Sequence, residues 1–168
     1  MNEGEISTRL GLIGIPACAE VIIIERDIRL AKLTGAHYHV AHVSTRDAVN
    51  VIREAKKSGL SITCDTAPPY FSLNESKLLT YNTAFKLSPP LRSEDDRLAI
   101  IEGIQDGTID AIASDHRARS KDTKAQPFSA ASVGASGIET LFSITLDLVH
   151  KKIIDINKAI SFLTINPA

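Results

Sequence analysis

Residues 37–59 read HYHVAHVSTRDAVNVIREAKKSG. The segment from His37 to Val43 is typical of a short strand. Ser44 and Asp47 then form a capping box for a helix that runs to Lys57 and ends at Gly59. The stretch therefore predicts a strand that is followed directly by a helix.

The same order recurs along the rest of the chain. Further strands are predicted at residues 60–64, 83–87 and 109–113, and helices at residues 16–33, 75–79, 93–106, 138–151 and from Asp155 onward. Four strands that are each followed by helical material indicate right-handed βαβ units in a parallel sheet, which needs cover on both faces. Either an open doubly wound sheet or part of a barrel fits this α/β pattern.

Composition excludes several classes of protein. The 168 residues are 43% hydrophobic and 23% charged, as in an ordinary globular protein, and we treat 1–168 as a single segment. A net charge of -1 offers no field for nucleic acid or an anionic membrane, and no apolar run reaches the roughly 18 residues of a membrane span. Cys18 and Cys64 lack a CxxC pattern, which predicts two buried, reduced thiols in a cytoplasmic protein.

Two strand ends carry candidate chemistry, because parallel α/β sheets place their active sites at the carboxyl edge. His42 ends the first predicted strand, on the face of Tyr38 and Val40 by alternation, and Asp115 follows the last strand. An imidazole and a carboxylate at one edge can share a divalent metal, for which zinc is the typical choice. The alternatives are a hydrogen-bonded strand-end histidine and a loop carboxylate.

Basic residues near the same edge are candidates for anion binding. Residues 88–92, SPPLR, follow the third predicted strand, so Arg92 either clamps an anion or is solvated in a turn. The same two interpretations apply to the basic loop of Arg117, Arg119, Lys121 and Lys124. The chain has no Walker phosphate loop and no nucleophile elbow, and GLIG at residues 11–14 lacks the setting of a dinucleotide fingerprint.

Seven segments along nearly the whole chain carry a family resemblance. They are GLIGIP (11–16), YHVAHVST (38–45), KLSPPLR (86–92), DGTID (106–110), ASDH (113–116), GIET (137–140) and TINPA (164–168). In this order they resemble segments of the dihydroorotase family of the amidohydrolase superfamily. Allantoinases and hydantoinases, which are related cyclic amidases, fit these contexts less well.

The resemblance implies a zinc-dependent TIM-barrel hydrolase of pyrimidine biosynthesis, which interconverts N-carbamoyl-L-aspartate and L-dihydroorotate. It implies that the four predicted strands are the fifth to eighth of the barrel, so that the chain is a half-barrel. A half-barrel exposes two sheet edges and an apolar interior, which predicts a homodimer or marginal stability.

The same resemblance implies roles for six residues. His42 corresponds to a zinc ligand, and Asp115 to the carboxylate that binds metal and moves the proton of the hydrolytic water. Ser88 stands where the family usually has a substrate-contacting Asn. The backbone of Val133–Gly134 stands where the loop meets the pyrimidine ring, and Arg119 is placed to meet a substrate anion.

Departures from the family pattern leave two hypotheses open. Pro69 and Tyr70 stand where many members have His-His, and Arg119 replaces a histidine that binds the substrate carboxylate. The family's His-x-His pair and its bridging Lys or Asp, from earlier strands, are not in this chain. The first hypothesis is part of a zinc dihydroorotase that is inactive by itself; the second is a non-catalytic subunit that supports assembly of aspartate carbamoyltransferase.

Overall fold

Three strands and eight α-helices make up the structure, a computed structural model that describes residues 1–168. The strands are β1 (Tyr38–Val40), β2 (Ile62–Thr66) and β3 (Ala111–Ile112). The helices are α1 (Glu5–Leu10), α2 (Cys18–Thr34), α3 (Arg46–Lys57), α4 (Pro68–Ser72), α5 (Glu94–Asp106), α6 (Lys121–Lys124), α7 (Leu141–His150) and α8 (Ile156–Leu163). Two 3-10 helices cover Glu75–Thr80 and Thr83–Phe85.

The strands form one parallel sheet in the order β1-β2-β3. Tyr38 of β1 pairs with Ile62 of β2, and Asp65 of β2 pairs with Ala111 of β3. Helix α3 connects β1 to β2, and the segment with α4 and α5 connects β2 to β3. The predicted parallel sheet with helical connections is therefore confirmed, and the carboxyl ends of its strands share one edge.

One of the four predicted strands is wrong. Residues 83–87 form a 3-10 helix, Thr83–Phe85, followed by irregular chain. The side chain of Asn82 accepts a hydrogen bond from the Ala84 N–H at 2.9 Å, which caps this turn and draws the backbone away from an extended path. Local capping has overridden the alternating pattern that predicted a strand.

Helix α5 begins and ends where its sequence predicts. The hydroxyl of Ser93 accepts from the Asp96 N–H at 3.1 Å, and the Asp96 carboxylate accepts from the Ser93 N–H at 3.2 Å. Gly107 follows with a φ of 81°, the left-handed conformation that ends helices at little cost for glycine.

The start of α3 differs from the prediction by one residue. Thr45, not Ser44, is the N-cap, and its hydroxyl accepts from the Ala48 N–H at 3.3 Å. Ser44 is bonded instead to the carboxylate of Glu20, which receives the Ser44 N–H at 2.9 Å and its hydroxyl. The carboxylate thus ties α2 to the turn after β1.

The hydrophobic core lies between the sheet and the helices that cover one of its faces. Its fully buried side chains include Ile52, Ile100, Ile104, Ile109 and Phe162. The other face of the sheet carries His37, His39, Thr63 and Asp65 around a cavity of about 410 Å³, which Ala111 and Ala113 also line. Residues of opposite parity along β1 and β2 point into the core. The apolar barrel interior stays a prediction.

The two cysteines differ in their surroundings. Cys64 is buried in β2, as predicted, but Cys18 is exposed at the start of α2, which contradicts its predicted burial. Both thiols are free. No helix combines the length and hydrophobicity that a membrane crossing requires.

Candidate active site

The structure brings His42 and Asp115 together at the carboxyl edge of the sheet. His42 follows β1 and Asp115 follows β3, and the Nε2 of the imidazole lies 3.6 Å from Oδ1 of the carboxylate. Both side chains are largely shielded, with 24% and 10% of their surface exposed. The shared edge of β1 and β3 is what positions them.

Both residues have an unusual backbone conformation. The φ angles of His42 and Asp115 are 58° and 43°, in the left-handed region that residues with a Cβ rarely occupy. This turn takes His42 out of the strand, which ends at Val40. The side chain consequently does not follow the alternation that placed it with Tyr38 and Val40, and it joins Asp65 instead.

Asp65, at the end of β2, holds the imidazole of His42 from behind. Its Oδ1 lies 2.9 Å from Nδ1 of His42 and accepts the His42 backbone N–H at 2.8 Å. Its Oδ2 lies 2.9 Å from Nε2 of His39. Asp65 is not among the residues predicted from the sequence, although it directly follows the predicted strand at residues 60–64, which is the signal that marks His42 and Asp115.

Electrostatics favour an ionised Asp65 beside a basic imidazole. Burial alone raises the pKa of Asp65, but the hydrogen bonds from His42 and His39 outweigh it and hold that pKa below its usual range. The hydrogen bond from Asp65 raises the pKa of His42 against the opposing effect of burial. A carboxylate that polarises an imidazole in this way makes its other nitrogen a better ligand or base.

Two separate cavities flank this pair. His42 and Ser88 line one of about 370 Å³, together with Tyr38 and Pro89. Asp115 lines another of about 250 Å³, with Leu87 and Gly137 among its walls. Ser88 therefore shares a cavity with His42 but not with Asp115.

The loop from 114 to 137 carries the remaining candidate residues. Arg119 is exposed, and its Nε–H donates to the carbonyl of Val133 at 2.9 Å. The Gly134 N–H donates to the carbonyl of Lys86 at 3.0 Å. The Val133 carbonyl and the Gly134 N–H thus have partners in the chain, while the terminal nitrogens of Arg119 make no hydrogen bond within it.

Glycines fix the shape of this loop. Gly134 has a φ of 114°, and a Cβ there would come within 2.7 Å of the Arg117 Cβ. A Cβ at Gly137 would come within 2.3 Å of the carbonyl oxygen of Ser114, the residue before Asp115. The loop can therefore pack closely over the end of β3 only with glycine at these positions.

Arg92 is not a solvated or anion-binding residue. Its side chain is 3% exposed, its Nη1 donates to Asn2 Oδ1 at 2.9 Å and to the Ile15 carbonyl at 2.8 Å, and its Nε donates to Ser44 Oγ at 3.2 Å. Its Nη2 lies 3.7 Å from the Glu20 carboxylate. Through these hydrogen bonds the guanidinium joins the amino-terminal segment to the core.

Comparisons with known proteins show which proteins the chain resembles. A family described as dihydro-orotase-like matches residues 1–48. The dihydroorotase of Anaplasma phagocytophilum is 46% identical over 169 residues, and that of Thermoanaerobacter sp. is 47% identical over 169 residues. Each match covers 100% of this chain, and 38% and 39% of the two relatives. The chain is therefore similar to dihydroorotases along its whole length.

Solved structures of related amidases share the fold. The dihydropyrimidinase from Brevibacillus agri NCHU1002 matches with a TM-score of 0.82 and 28% identity over 88% of this chain and 34% of that one. The L-hydantoinase from Arthrobacter aurescens matches with a TM-score of 0.81 and 28% identity over 86% of this chain and 33% of that one. The chain spans well under half the length of all these proteins.

The resemblance to dihydroorotases implies a metal, and the residues present match part of a metal site. Two ligands of one tetrahedral zinc, each bound at roughly 2.0–2.2 Å, lie roughly 3.4 Å apart, and His42 Nε2 and Asp115 Oδ1 are 3.6 Å apart. A catalytic zinc takes three protein ligands, whereas no three His, Cys, Asp or Glu side chains of this chain converge as a metal site. The chain thus offers two ligands of the right kind and spacing.

Tyr70 stands, by the family resemblance, where many dihydroorotases have a histidine. Its ring is buried, and its hydroxyl donates to the carbonyl of Pro89 at 3.0 Å. Burial raises the pKa of the Tyr70 phenol, so this hydroxyl stays protonated. A protonated, hydrogen-bonded phenol is a structural group rather than a metal ligand.

Proposed function

We propose that this chain supplies part of the active site of a zinc-dependent dihydroorotase, which interconverts N-carbamoyl-L-aspartate and L-dihydroorotate in pyrimidine biosynthesis. The observation that carries the proposal is the approach of His42 Nε2 to Asp115 Oδ1, at 3.6 Å, on the carboxyl edge of a parallel sheet. Identity of 46–47% with dihydroorotases along the whole chain supports this choice of substrate over the hydantoinases, at 28%.

The proposal extends to the fold. We infer that β1, β2 and β3 belong to the second half of a TIM barrel, in the range of its fifth to eighth strands, as the family resemblance implies. The likeness to hydantoinase and dihydropyrimidinase structures, each matched over about a third of its length, supports this inference. In such a barrel the carboxyl edge is where catalytic loops meet.

Asp115 and His42 have different roles in the proposed reaction. A bound zinc would lower the pKa of a water molecule and polarise the ring amide carbonyl. Asp115 accepts the proton of the attacking water and returns it to the ring nitrogen as the C–N bond breaks. His42 presents Nε2 to the metal while Asp65 holds its Nδ1.

Three further positions are proposed to contact the substrate. Ser88 shares a cavity with His42, so its hydroxyl can reach a ligand held there. The terminal nitrogens of Arg119 suit the substrate carboxylate. In the backbone of Val133–Gly134, the Val133 carbonyl and the Gly134 N–H are bonded to Arg119 and Lys86, so the Val133 N–H and the Gly134 carbonyl are the groups that would contact the substrate.

A second candidate function is a non-catalytic subunit that supports aspartate carbamoyltransferase. The observation in its favour is the buried Tyr70, whose hydroxyl is bonded to Pro89 where many family members have histidine. With that ligand replaced, two donors remain, His42 and Asp115. Free Cys18 and Cys64 fit a reducing compartment, and we place either function in the cytoplasm.

A chimera tests the catalytic proposal. This chain would replace the matching 169 residues of the Thermoanaerobacter dihydroorotase, whose other residues would complete the protein. We expect zinc in the purified chimera and hydrolysis of dihydroorotate. Asp115→Asn should lower kcat at least about 100-fold because the proton carrier is removed.

Controls separate the two candidate functions. Asp122→Asn, on the exposed helix α6, should leave turnover unchanged, and His42→Ala should lower the zinc content. The 168-residue chain by itself should not turn over dihydroorotate. A folded chimera without zinc or activity, in which Pro69→His and Tyr70→His together restore both, would favour the accessory subunit.

A further inference from the structure

A row of polar side chains lies behind His42 on the open face of the sheet, and the proposed reaction does not use it. His39 lies in β1 and His37 directly precedes that strand, while Thr63 and Asp65 lie in β2. All four line the cavity of about 410 Å³ on that face. Asp65 is the only one of the four that is hydrogen-bonded to His42, and the residue is 7% exposed.

These side chains form one continuous line of hydrogen bonds. Asp65 Oδ2 lies 2.9 Å from Nε2 of His39. The other ring nitrogen, His39 Nδ1, lies 2.8 Å from Thr63 Oγ1. It continues from Thr63 Oγ1 to His37 Nε2 at 3.1 Å and from His37 Nδ1 to Ser61 Oγ at 2.9 Å. At its other end, Asp65 Oδ1 meets His42 Nδ1 at 2.9 Å.

The direction of every bond follows from the charge of Asp65. An ionised carboxylate can only accept, so His42 must carry its proton on Nδ1 and His39 on Nε2. His39 Nδ1 then accepts the Thr63 hydroxyl, which in turn accepts Nε2–H of His37. In this line the two histidines of the sheet face hold one tautomer and His42 holds the other.

We propose that Asp65 is a positioning residue that fixes the tautomer of His42, with Nδ1 protonated and the lone pair of Nε2 directed at Asp115. His39 occupies the second oxygen of Asp65 and so keeps the carboxylate in place. The use of that lone pair as a metal ligand rests on the proposed function; the tautomer itself does not.

The other contacts of His42 do not provide this control. Its Nε2 faces only the Asp115 carboxylate, which would attract a proton to Nε2 and block the lone pair. Asp65 is closer, at 2.9 Å against 3.6 Å, and also holds the His42 backbone N–H. Removing it should therefore move the proton from Nδ1 to Nε2.

Nitrogen-15 NMR of the imidazoles tests this in the 168-residue chain, at a pH where the histidines are neutral. Among the five histidines, we expect His42 to be the Nδ1–H form and His37 and His39 to be the Nε2–H form. His116 should also be Nε2–H, because its Nδ1 lies 3.2 Å from the Gly137 N–H, which it accepts. A wild-type spectrum with His42 as Nε2–H would overturn the proposal without any variant.

Asp65→Ala supplies the matched comparison, because it removes both carboxylate oxygens, whereas an asparagine oxygen in the place of Oδ1 could still accept the His42 Nδ1–H. In this variant His42 should change to the Nε2–H form, and Asp27→Ala should leave its signals unchanged. Asp27 is a suitable control, since it accepts a hydrogen bond from Tyr38 of the same strand at 3.3 Å but has no hydrogen bond to His42. An Asp65→Ala chain that keeps His42 as Nδ1–H would contradict the proposed role.

Zinc titration distinguishes this proposal from the proposed function. If both proposals hold, the His42 Nε2 signal should shift with added Zn²⁺, and Asp65→Ala should need at least tenfold more zinc for the same shift. If zinc leaves His42 unaffected while the tautomers follow the expected pattern, the metal site fails and the positioning role stands. If zinc shifts His42 equally in the wild type and Asp65→Ala, the positioning role fails and the metal site stands.

Discussion

At the scale of single residues, His42 and Asp115 share a conformation that costs energy. A left-handed backbone with a Cβ costs roughly 1–2 kcal/mol, and it persists only where other contacts hold it. Asp65 provides such a contact by accepting the His42 backbone N–H at 2.8 Å. Strained residues of this kind cluster at functional sites. Tyr81 and Lys152 share the conformation, but only His42 and Asp115 combine it with a position just after a strand.

The two cysteines should react very differently with a thiol reagent. Cys64 is 0% exposed, and burial raises its pKa to about 12, so almost none of its reactive thiolate forms at pH 8. Cys18 is exposed at the start of α2. We expect a disulfide reagent such as DTNB to label one thiol rapidly in the native chain and the second only in denaturant.

Cys18→Ser is the control for this labelling. It should abolish the rapid phase and leave the denaturant-dependent thiol. Two rapidly reacting thiols in the folded wild type would show that Cys64 is not buried as the structure has it.

At the scale of elements, α5 depends on its capping box. Ser93→Ala removes the oxygen that accepts the Asp96 N–H at 3.1 Å and should lower the free energy of unfolding by about 1 kcal/mol. Urea denaturation followed by circular dichroism measures the change. Ser129→Ala, an exposed serine outside any helix, should change it by less than about 0.5 kcal/mol. Equal values for the two variants would argue against the cap.

The elements also show which parts of the fold are local and which are not. The ends of α5 could be predicted because Ser93, Asp96 and Gly107 act within one turn of the helix. Residues 83–87 could not, because the turn capped by Asn82 competes with an equally plausible strand. The cap of α3 was misplaced by one residue because Ser44 serves Glu20, a partner that lies far away in the sequence.

The same distinction between local signals and distant contacts applies to the candidate site. His42 and Asp115 stand at strand ends, so parallel topology alone brings them to one edge. The strand-end position of Asp65 can be read from the sequence, but its hydrogen bond to His42 depends on the register of β1 and β2 and on the left-handed turn at His42, which cannot. Arg92 was misjudged because its partners, Asn2 and Ile15, belong to a segment with no predicted structure.

At the scale of the whole molecule, the sheet is open along β1. This strand pairs with β2 only, so the backbone groups on its outer side have no strand partner. Helix α2 beside it exposes a row of large apolar side chains: Ile22, Ile23, Leu30 and Leu33, which are 59%, 45%, 51% and 82% exposed. An unpaired edge next to exposed apolar surface is a typical site of association.

We therefore expect the chain to self-associate through the β1 edge and the α2 surface. Size-exclusion chromatography with light scattering, over a series of concentrations, should show a mass that rises above the 18.2 kDa of one chain. Leu30→Glu with Leu33→Glu should return the mass to that of a monomer, because buried charges in the contact would be unpaired. Leu98→Glu, on the exposed side of α5, is the matched control and should not. A compact monomer that stays stable at every concentration would contradict this expectation, since it would mean that the open edge needs no partner.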